Sequence, residues 1–437
     1  MAISHNADVA IIGLGYVGLP LAGAFHMAGH RVIGFDVDPV KLNALREGTP
    51  YLKHLGQELF GALAHSDRFE ATDDFSRLGE ADAILICLPT PIGTHQEPDL
   101  TYVLRAGEQI GRCLRKGQLI VLESTTYPGT TRHELATAIG KHAPSDLILG
   151  RDYFLAYSPE REDPGSSTHS TQTIPKLVGG LDEISTEKAL SLYRGAIDNV
   201  VPVSSAEIAE AAKILENVFR AVNIALANEM KIILSAMHID VWEVIQAAST
   251  KPFGFMPFYP GPGLGGHCIP VDPFYLAWKA KAIGHTTKFI ELAGEINRSM
   301  PGRVVDRVGE ALNARGKAVR GANILIIGVA YKPNVDDMRE TPAAEIIELL
   351  IQRGAEVSYH DPHVPEFPPM RNYRICLQSR DLSTESVRSA DAVVIVTDHR
   401  ALDWDLIANE ASLIVDSRNA IRKHCNCVLA ADKLVHA

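Results

Sequence analysis

The sequence predicts an α/β protein of two doubly wound parallel-sheet domains joined by a long central helix, and three observations carry that prediction. Short apolar runs alternate with helical patterns over the first 203 residues or so. A stretch free of Gly and Pro then runs from Val203 to Lys251. Finally the chain repeats its opening theme, with Asn323-Ile-Leu-Ile-Ile-Gly328 echoing Asp8-Val-Ala-Ile-Ile-Gly13.

In chain order, residues 8–12 form a short apolar strand, a glycine cluster follows, residues 19–28 are helical, and 31–35 form a second strand ending at Asp36. That is a βαβ unit of Rossmann type. Strand-like runs at 83–88, 119–122 and 154–157 continue it, so a first domain is expected over residues 1–203. AEIAEAAKILENVFRAVNIALANEMKIIL reads as one helix beginning near Ser205, and opens a central helical region over 204–317 with a Gly/Pro-rich loop from Pro252 to Pro273. Residues 318–437 form the second Rossmann-like domain. It lacks the later glycines, has Ala330-Tyr331-Lys332-Pro333 instead, and delays its helix to about Thr341; strands at 392–396 and 413–415 complete it.

The 437 residues are 46% hydrophobic and 22% charged, ordinary globular proportions that exclude a disordered polyampholyte and a membrane-embedded chain. Lys+Arg 42 against Asp+Glu 53 gives a net charge of -11, which repels nucleic acid and anionic lipid. An anionic ligand therefore needs a local basic pocket. The N-terminal residues lack a basic segment followed by a long apolar one, and no stretch approaches the roughly 18 apolar residues of a membrane span, so a cytoplasmic protein is expected. The six cysteines are scattered. Cys425 and Cys427 beside His424 invite a zinc reading, but no second ligand pair follows and no metal is expected.

Gly13-Leu14-Gly15-Tyr16-Val17-Gly18 fits G-x-G-x-x-G between a strand and a helix, with Asp36 lying 23 residues beyond Gly13. The glycines let backbone N–H groups approach a pyrophosphate, and Asp36 would bond a ribose 2′-OH and repel a 2′-phosphate, favouring NAD over NADP. A purely structural glycine turn is the alternative. The loop from Gly261 to Asp272 holds Gly261, Gly263, Gly265 and Gly266, then His267 and Cys268, with a carboxylate four residues after the cysteine. A thiol there is a candidate nucleophile for a carbonyl, or a small apolar side chain in a tight loop. His267 reads as a structural residue or substrate contact rather than a general base. Lys213 and Asn217, four apart, share a helix face; such a lysine could stabilise an oxyanion if buried, though alone it reads as a surface residue. Leu88 to Pro91, Glu123 to Thr126 and Ser158 to Arg161 stand at strand ends, where an open parallel sheet places its ligand; helix capping is the alternative.

GLGYVGLPLA, LPTP, ESTTYPGTT, SPERxxPG, EAAKxxEN, GPGLGGHCIPVDP, AYKPNVDDMRET and DSRN, in this order over nearly the whole chain, resemble the UDP-glucose/GDP-mannose dehydrogenase family. Within it, GGHCIPVDP and SPER look like the branch acting on UDP-N-acetylhexosamines, and FGFMPFYPGPGLGGHCIPVDPFYL most resembles bacterial enzymes that oxidise C6 of UDP-N-acetyl-D-glucosamine. The resemblance implies a four-electron oxidation of the sugar C6 alcohol to a carboxylate, with two NAD+ used in succession, through aldehyde, thiohemiacetal and thioester. It implies Cys268 as nucleophile, Lys213 and Asn217 as the oxyanion pair, Asp272 as a carboxylate working through water, and Thr125 and Glu160 as holders or activators of the hydrolytic water. For NAD it adds Tyr16, Val17, Lys41, Thr90, Thr125 and Arg339 to Gly13, Gly15, Gly18 and Asp36. For the UDP-sugar it offers Arg161, Tyr259, Gly261, Gly265, His267, Lys332 and Arg418 beside Lys213 and Asn217. Val271, where UDP-glucose dehydrogenases carry a basic residue, and Arg161, where they carry an apolar one, favour a sugar with a bulky C2 group without separating gluco, galacto and manno isomers. Lys251 is the nearest counterpart of the arginine those enzymes supply across a dimer. A homodimer or higher homo-oligomer and a role in bacterial surface polysaccharide synthesis complete what the resemblance implies.

Two other readings remain on the residues alone. A two-electron β-hydroxyacid-type dehydrogenase also pairs a Rossmann domain with a helix-borne Lys and Asn, but needs no cysteine loop. A nucleotide-binding regulator without catalysis would bind NAD and turn nothing over.

Overall fold

The computed structural model describes residues 8–52, 55–93, 96–161, 171–266, 268–370, 372–425, 429–430 and 432–437, the side chain of Cys268 excepted. It falls into two compact units, one of Met1–Glu216 with Phe274–His285 and one of Asn217–Pro273 with Thr286–Ala437.

The first unit holds an eight-stranded sheet in the order β3-β2-β1-β4-β5-β6-β7-β8. Its strands are β1 (Asp8–Ile12), β2 (Arg31–Phe35), β3 (Phe69–Thr72), β4 (Ala83–Ile86), β5 (Leu119–Leu122), β6 (Phe154–Tyr157), β7 (Lys176–Gly180) and β8 (Val200–Pro202). Successive side chains of β1 enter different cores: Val9 and Ile11 join one apolar cluster, Ala10 and Ile12 the other, so both faces are covered. The order reverses between β1 and β4, and this switch point places the carboxyl ends of β1, β4, β5 and β6 around one crevice. The predicted parallel sheet holds with one difference. β7 runs antiparallel to β6, pairing Ala156 with Gly180 and Tyr157 with Gly179. The start of β7 is thereby brought to the carboxyl end of β6.

The second unit holds a parallel five-stranded sheet, order β10-β9-β11-β12-β13, made of β9 (Asn323–Ile327), β10 (Glu356–His360), β11 (Ala392–Ile395), β12 (Ile414–Asp416) and β13 (Leu434–His436). The echo of the opening motif is structural. Gly328 has φ +78° and a Cβ there would lie 2.5 Å from the Thr397 carbonyl oxygen, just as Gly13, at φ +94°, would meet that of Cys87 at 2.6 Å. Asp361 stands where Asp36 does, but its carboxylate is used internally, accepting from the N–H groups of Val329 and Ala330 at 2.8 and 3.0 Å and contacting His399 Nε2 at 3.0 Å. Helix Pro342–Gln352 begins after Thr341, whose hydroxyl caps Ala343 N–H.

The long helix spans Ala206–Ala236 and continues from one unit into the other. It stops where His238 adopts φ +58°, after which Asp240 caps Val241–Ser249. Among the described residues no helix is long and apolar enough to cross a membrane.

Candidate active site

The glycine loop links β1 to helix Gly18–Met27. A Cβ on Gly18 would sit 1.8 Å from the Gly13 carbonyl, so helix and strand can meet only over glycine. Gly15 differs: its missing Cβ faces open space with nothing within 4 Å. That is the position where a phosphate must approach the backbone, and the residues fit a dinucleotide there. Asp36, 7% exposed, orders the loop by accepting Leu14 N–H at 2.9 Å and Asp38 N–H at 3.0 Å, and pairs with Lys41 Nζ at 2.9 Å. Tyr16 and Val17 pack against the core below the loop. Tyr51, unmarked by any motif, donates its hydroxyl to the Leu14 carbonyl at 2.6 Å. Thr90, after β4, is buried and donates to the Thr125 carbonyl at 2.7 Å, joining two of the predicted strand-end clusters.

Two further clusters meet in the same unit. The Lys213 ammonium donates to the Glu160 carbonyl. At 7% exposed, Lys213 is not the surface residue its isolated sequence context suggested. Arg161, next to Glu160, pairs with Glu216 at 2.8 Å and donates to the Pro175 carbonyl at 2.7 Å. In the second unit, which begins at Asn217, that residue donates to the Asp272 carboxylate at 2.6 Å, both being buried.

The glycine loop of the second unit is held from below. Gly261 N–H donates to Asn228 Oδ1 at 2.9 Å, Asn228 donates to Asn297 at 2.9 Å, and Asn297 donates to the Ala221 carbonyl at 3.0 Å. Neither asparagine was singled out from sequence; the partners lie 33 and 69 residues apart, so no local pattern reveals them. A Cβ at Gly265 would lie 2.5 Å from Tyr331 Cβ, and one at Gly261 2.9 Å from an Arg418 guanidinium nitrogen. Backbone therefore packs directly on Arg418, whose Nε donates to the Val396 carbonyl at 2.9 Å and whose charge burial disfavours. Tyr259 stacks on Trp242, Lys332 lies over the Tyr331 ring, and Lys251 lies over Phe253. Arg339 is locked onto the Asp337 carboxylate through Nε and Nη2, at 3.0 and 2.6 Å, and its carbonyl accepts Gly266 N–H. Cys268 starts helix Cys268–Ala282; its side chain and His267 lie outside the described residues.

Among the described residues no three His, Cys, Asp or Glu side chains are grouped to hold a metal ion. His424 stacks on Trp404 and faces Asp398 at 3.4 Å; Cys427, the other half of the zinc reading, lies outside the described residues.

An NAD-binding α/β protein is the class that the sheet and its glycine loop define. More particularly, the chain belongs to the UDP-glucose/GDP-mannose dehydrogenase family: the family's NAD binding domain matches residues 7–197, its central domain 207–299 and its UDP binding domain 325–423. A UDP-N-acetyl-D-glucosamine 6-dehydrogenase of Pseudomonas aeruginosa is 37% identical over 395 residues, 90% of this chain and 91% of the relative. A UDP-N-acetyl-D-mannosamine dehydrogenase of Escherichia coli (strain K12) is 34% identical over 408 residues, 90% of this chain and 94% of the relative. Among solved structures, a UDP-D-ManNAc dehydrogenase from Pyrococcus horikoshii matches with TM-score 0.87 and 30% identity over 98% of both chains. The chain is an NAD-dependent UDP-sugar dehydrogenase, and its relatives divide between gluco and manno substrates.

Proposed function

We propose that this enzyme oxidises the C6 alcohol of a UDP-N-acetylhexosamine, UDP-N-acetyl-D-glucosamine first among them, to the uronic acid. NAD+, when bound at the glycine loop, would supply the hydride acceptor for each of the two oxidations. Cys268 adds to the aldehyde to give a thiohemiacetal, which on oxidation becomes a thioester. Lys213 and Asn217 stabilise the oxyanion as it forms, and the Asn217 amide is held in place by Asp272. Glu160 takes the proton of the water that hydrolyses the thioester, with Thr125 beside it in sequence order of strand ends. Arg418, Lys332 and the backbone of residues 259–266 bind the UDP group, and Arg161, His267 and Lys251 are assigned to the sugar side. Arg339 completes the cofactor contacts. The division of the chain at residues 203 and 317 into cofactor, central and UDP-sugar domains belongs to the same proposal.

The observation that carries this reading is the buried Asn217–Asp272 hydrogen bond, one helical turn from Lys213 and four residues after Cys268. A β-hydroxyacid route needs no cysteine, so Cys268→Ala separates the two: loss of uronic acid formation supports the thioester route, and full activity removes it. The manno substrate is a second reading, favoured by the P. horikoshii match. Comparing kcat/KM for UDP-N-acetylglucosamine, UDP-N-acetylmannosamine, UDP-N-acetylgalactosamine and UDP-glucose decides between the epimers; NAD binding with no turnover on any would leave a regulator.

The partner is a second copy of the chain. Leu215, Phe219, Leu226, Met230 and Ile233 form an exposed apolar stripe along the long helix at three-, four- and seven-residue spacings. Light scattering is expected to give at least a dimer, and a concentration-independent monomer would remove this assignment. A cytoplasmic enzyme supplying acidic sugars to a bacterial surface polysaccharide is the proposed setting.

A further inference from the structure

At the strand ends of the first unit lies a buried ion pair, Lys176 with Glu123, that the reaction as described leaves unused. Lys176 opens β7 and is 5% exposed. Its Nζ lies 2.6 Å from Glu123 Oε2, 3.5 Å from the Pro159 carbonyl and 3.9 Å from Glu160 Oε2. Glu123, 1% exposed, accepts the Tyr193 hydroxyl on its other oxygen, and Lys176 sits over the Tyr193 ring. A cleft lined by Glu160, Arg161, Pro175 and Lys176 opens beside the cluster. Two carboxylates therefore share one cation. Burial opposes the charge on Lys176, but Glu123 and Glu160 outweigh it and keep the ammonium protonated. A buried ion pair is seldom more stabilising than apolar residues of the same volume, so stability alone gives no reason for one here.

We propose that Lys176 is a positioning residue: paired with Glu123, it holds the Glu160 side chain aimed as the acceptor of the hydrolytic proton. The proposal rests on the assignment of Glu160 made above. In the step concerned, the water oxygen bonds to the thioester carbon and its proton passes to Glu160. The C–S bond breaks, Cys268 leaves as the thiolate, and the new acid ionises to solvent; nothing is oxidised or reduced. Without Lys176, Glu160 loses the cation beside its Oε2, and the water proton no longer meets a placed acceptor. Among the described residues, Lys213 also donates to the Glu160 carbonyl, and the neighbouring Arg161 is paired with Glu216.

The test uses the full-length enzyme with excess NAD+ and the UDP-sugar it oxidises fastest, following NADH by stopped flow and adducts by intact-protein mass. Wild type must yield two NADH per sugar; failure there removes the reaction scheme rather than the role of Lys176. Lys176→Met is expected to keep the rapid formation of two NADH per site, then turn over about tenfold slower with an acyl adduct on Cys268. Lys176→Arg, which keeps the cation, should restore turnover to within about threefold. Should Lys176→Met not fold, Glu123→Gln/Lys176→Met leaves no lone buried charge and is expected to accumulate the same adduct. A folded variant that forms no adduct, or slows hydride transfer and hydrolysis equally, overturns the proposal. Failure of both variants to fold would make the cluster structural and overturn it too.

Discussion

The Asn217 side-chain amide donates to the Asp272 carboxylate at 2.6 Å, joining the long helix to the helix that Cys268 begins. A buried carboxylate fixes the amide's orientation, so the amide N–H groups are directed by Asp272 rather than by solvent. Asp272→Asn is expected to fold, since it keeps the shape, but to lower kcat about 100-fold with KM changed far less. Steady-state NADH formation checks this, and an effect confined to KM would assign the pair to substrate binding.

Two glycines of the cofactor loop should respond differently to the same substitution. Gly15→Ala adds a methyl to open space, so thermal stability should stay within about 0.5 kcal/mol while KM for NAD+ rises about tenfold or more. Gly18→Ala places a Cβ 1.8 Å from the Gly13 carbonyl oxygen and is expected to destabilise the protein by about 2–4 kcal/mol. Denaturant titration together with NAD+ saturation curves separates the two outcomes.

Much of this was legible in the sequence because it is written locally. The β1 run and its echo at β9, the Gly- and Pro-free stretch that became Ala206–Ala236, and Thr341 as a helix start are all patterns within one element. The ionic cluster was not legible. Lys176 looks like any lysine before a strand, and its partners Glu123 and Glu160 are 53 and 16 residues away; only the antiparallel β7 brings it to the end of β6. Glu210 is similar: a fully buried carboxylate that accepts Gly129 and Thr131 N–H from across the fold, invisible to helical periodicity.

Asp361 shows what became of the acid in the second Rossmann unit. Burial would raise its carboxyl, but hydrogen bonds from His399 and from the Val329 and Ala330 amides prevail and hold it at about 2, against an ordinary 3.8. A depressed carboxyl contributes stability that is complete above the unfolded value and is lost as pH falls toward 2. Asp361→Asn should therefore destabilise the protein at pH 7 by about 2 kcal/mol and by progressively less between pH 4 and 2, measured by urea unfolding across that range.

Lys231, one turn beyond Asn228 on the long helix, is 4% exposed and its ammonium has no hydrogen-bond partner among the described residues. Burial lowers it from 10.5 to about 8, helped by Arg418 and Arg307 and opposed by Asp416. Between those two values the unfolded chain binds more protons than the folded one, so stability rises with pH from 8 to 10.5. Lys231→Met is expected to be more stable than wild type at pH 7 by about 1–3 kcal/mol, the difference shrinking by pH 10; a less stable variant at pH 7 would show that the ammonium has a favourable role.

The most direct measurement is the number of NADH formed per molecule of limiting UDP-N-acetylhexosamine, followed at completion with excess NAD+. Two NADH per sugar, falling to none or one in Cys268→Ala, is the result expected of a four-electron oxidation through a thioester. One NADH per sugar in the wild-type enzyme, unchanged by Cys268→Ala, would contradict it.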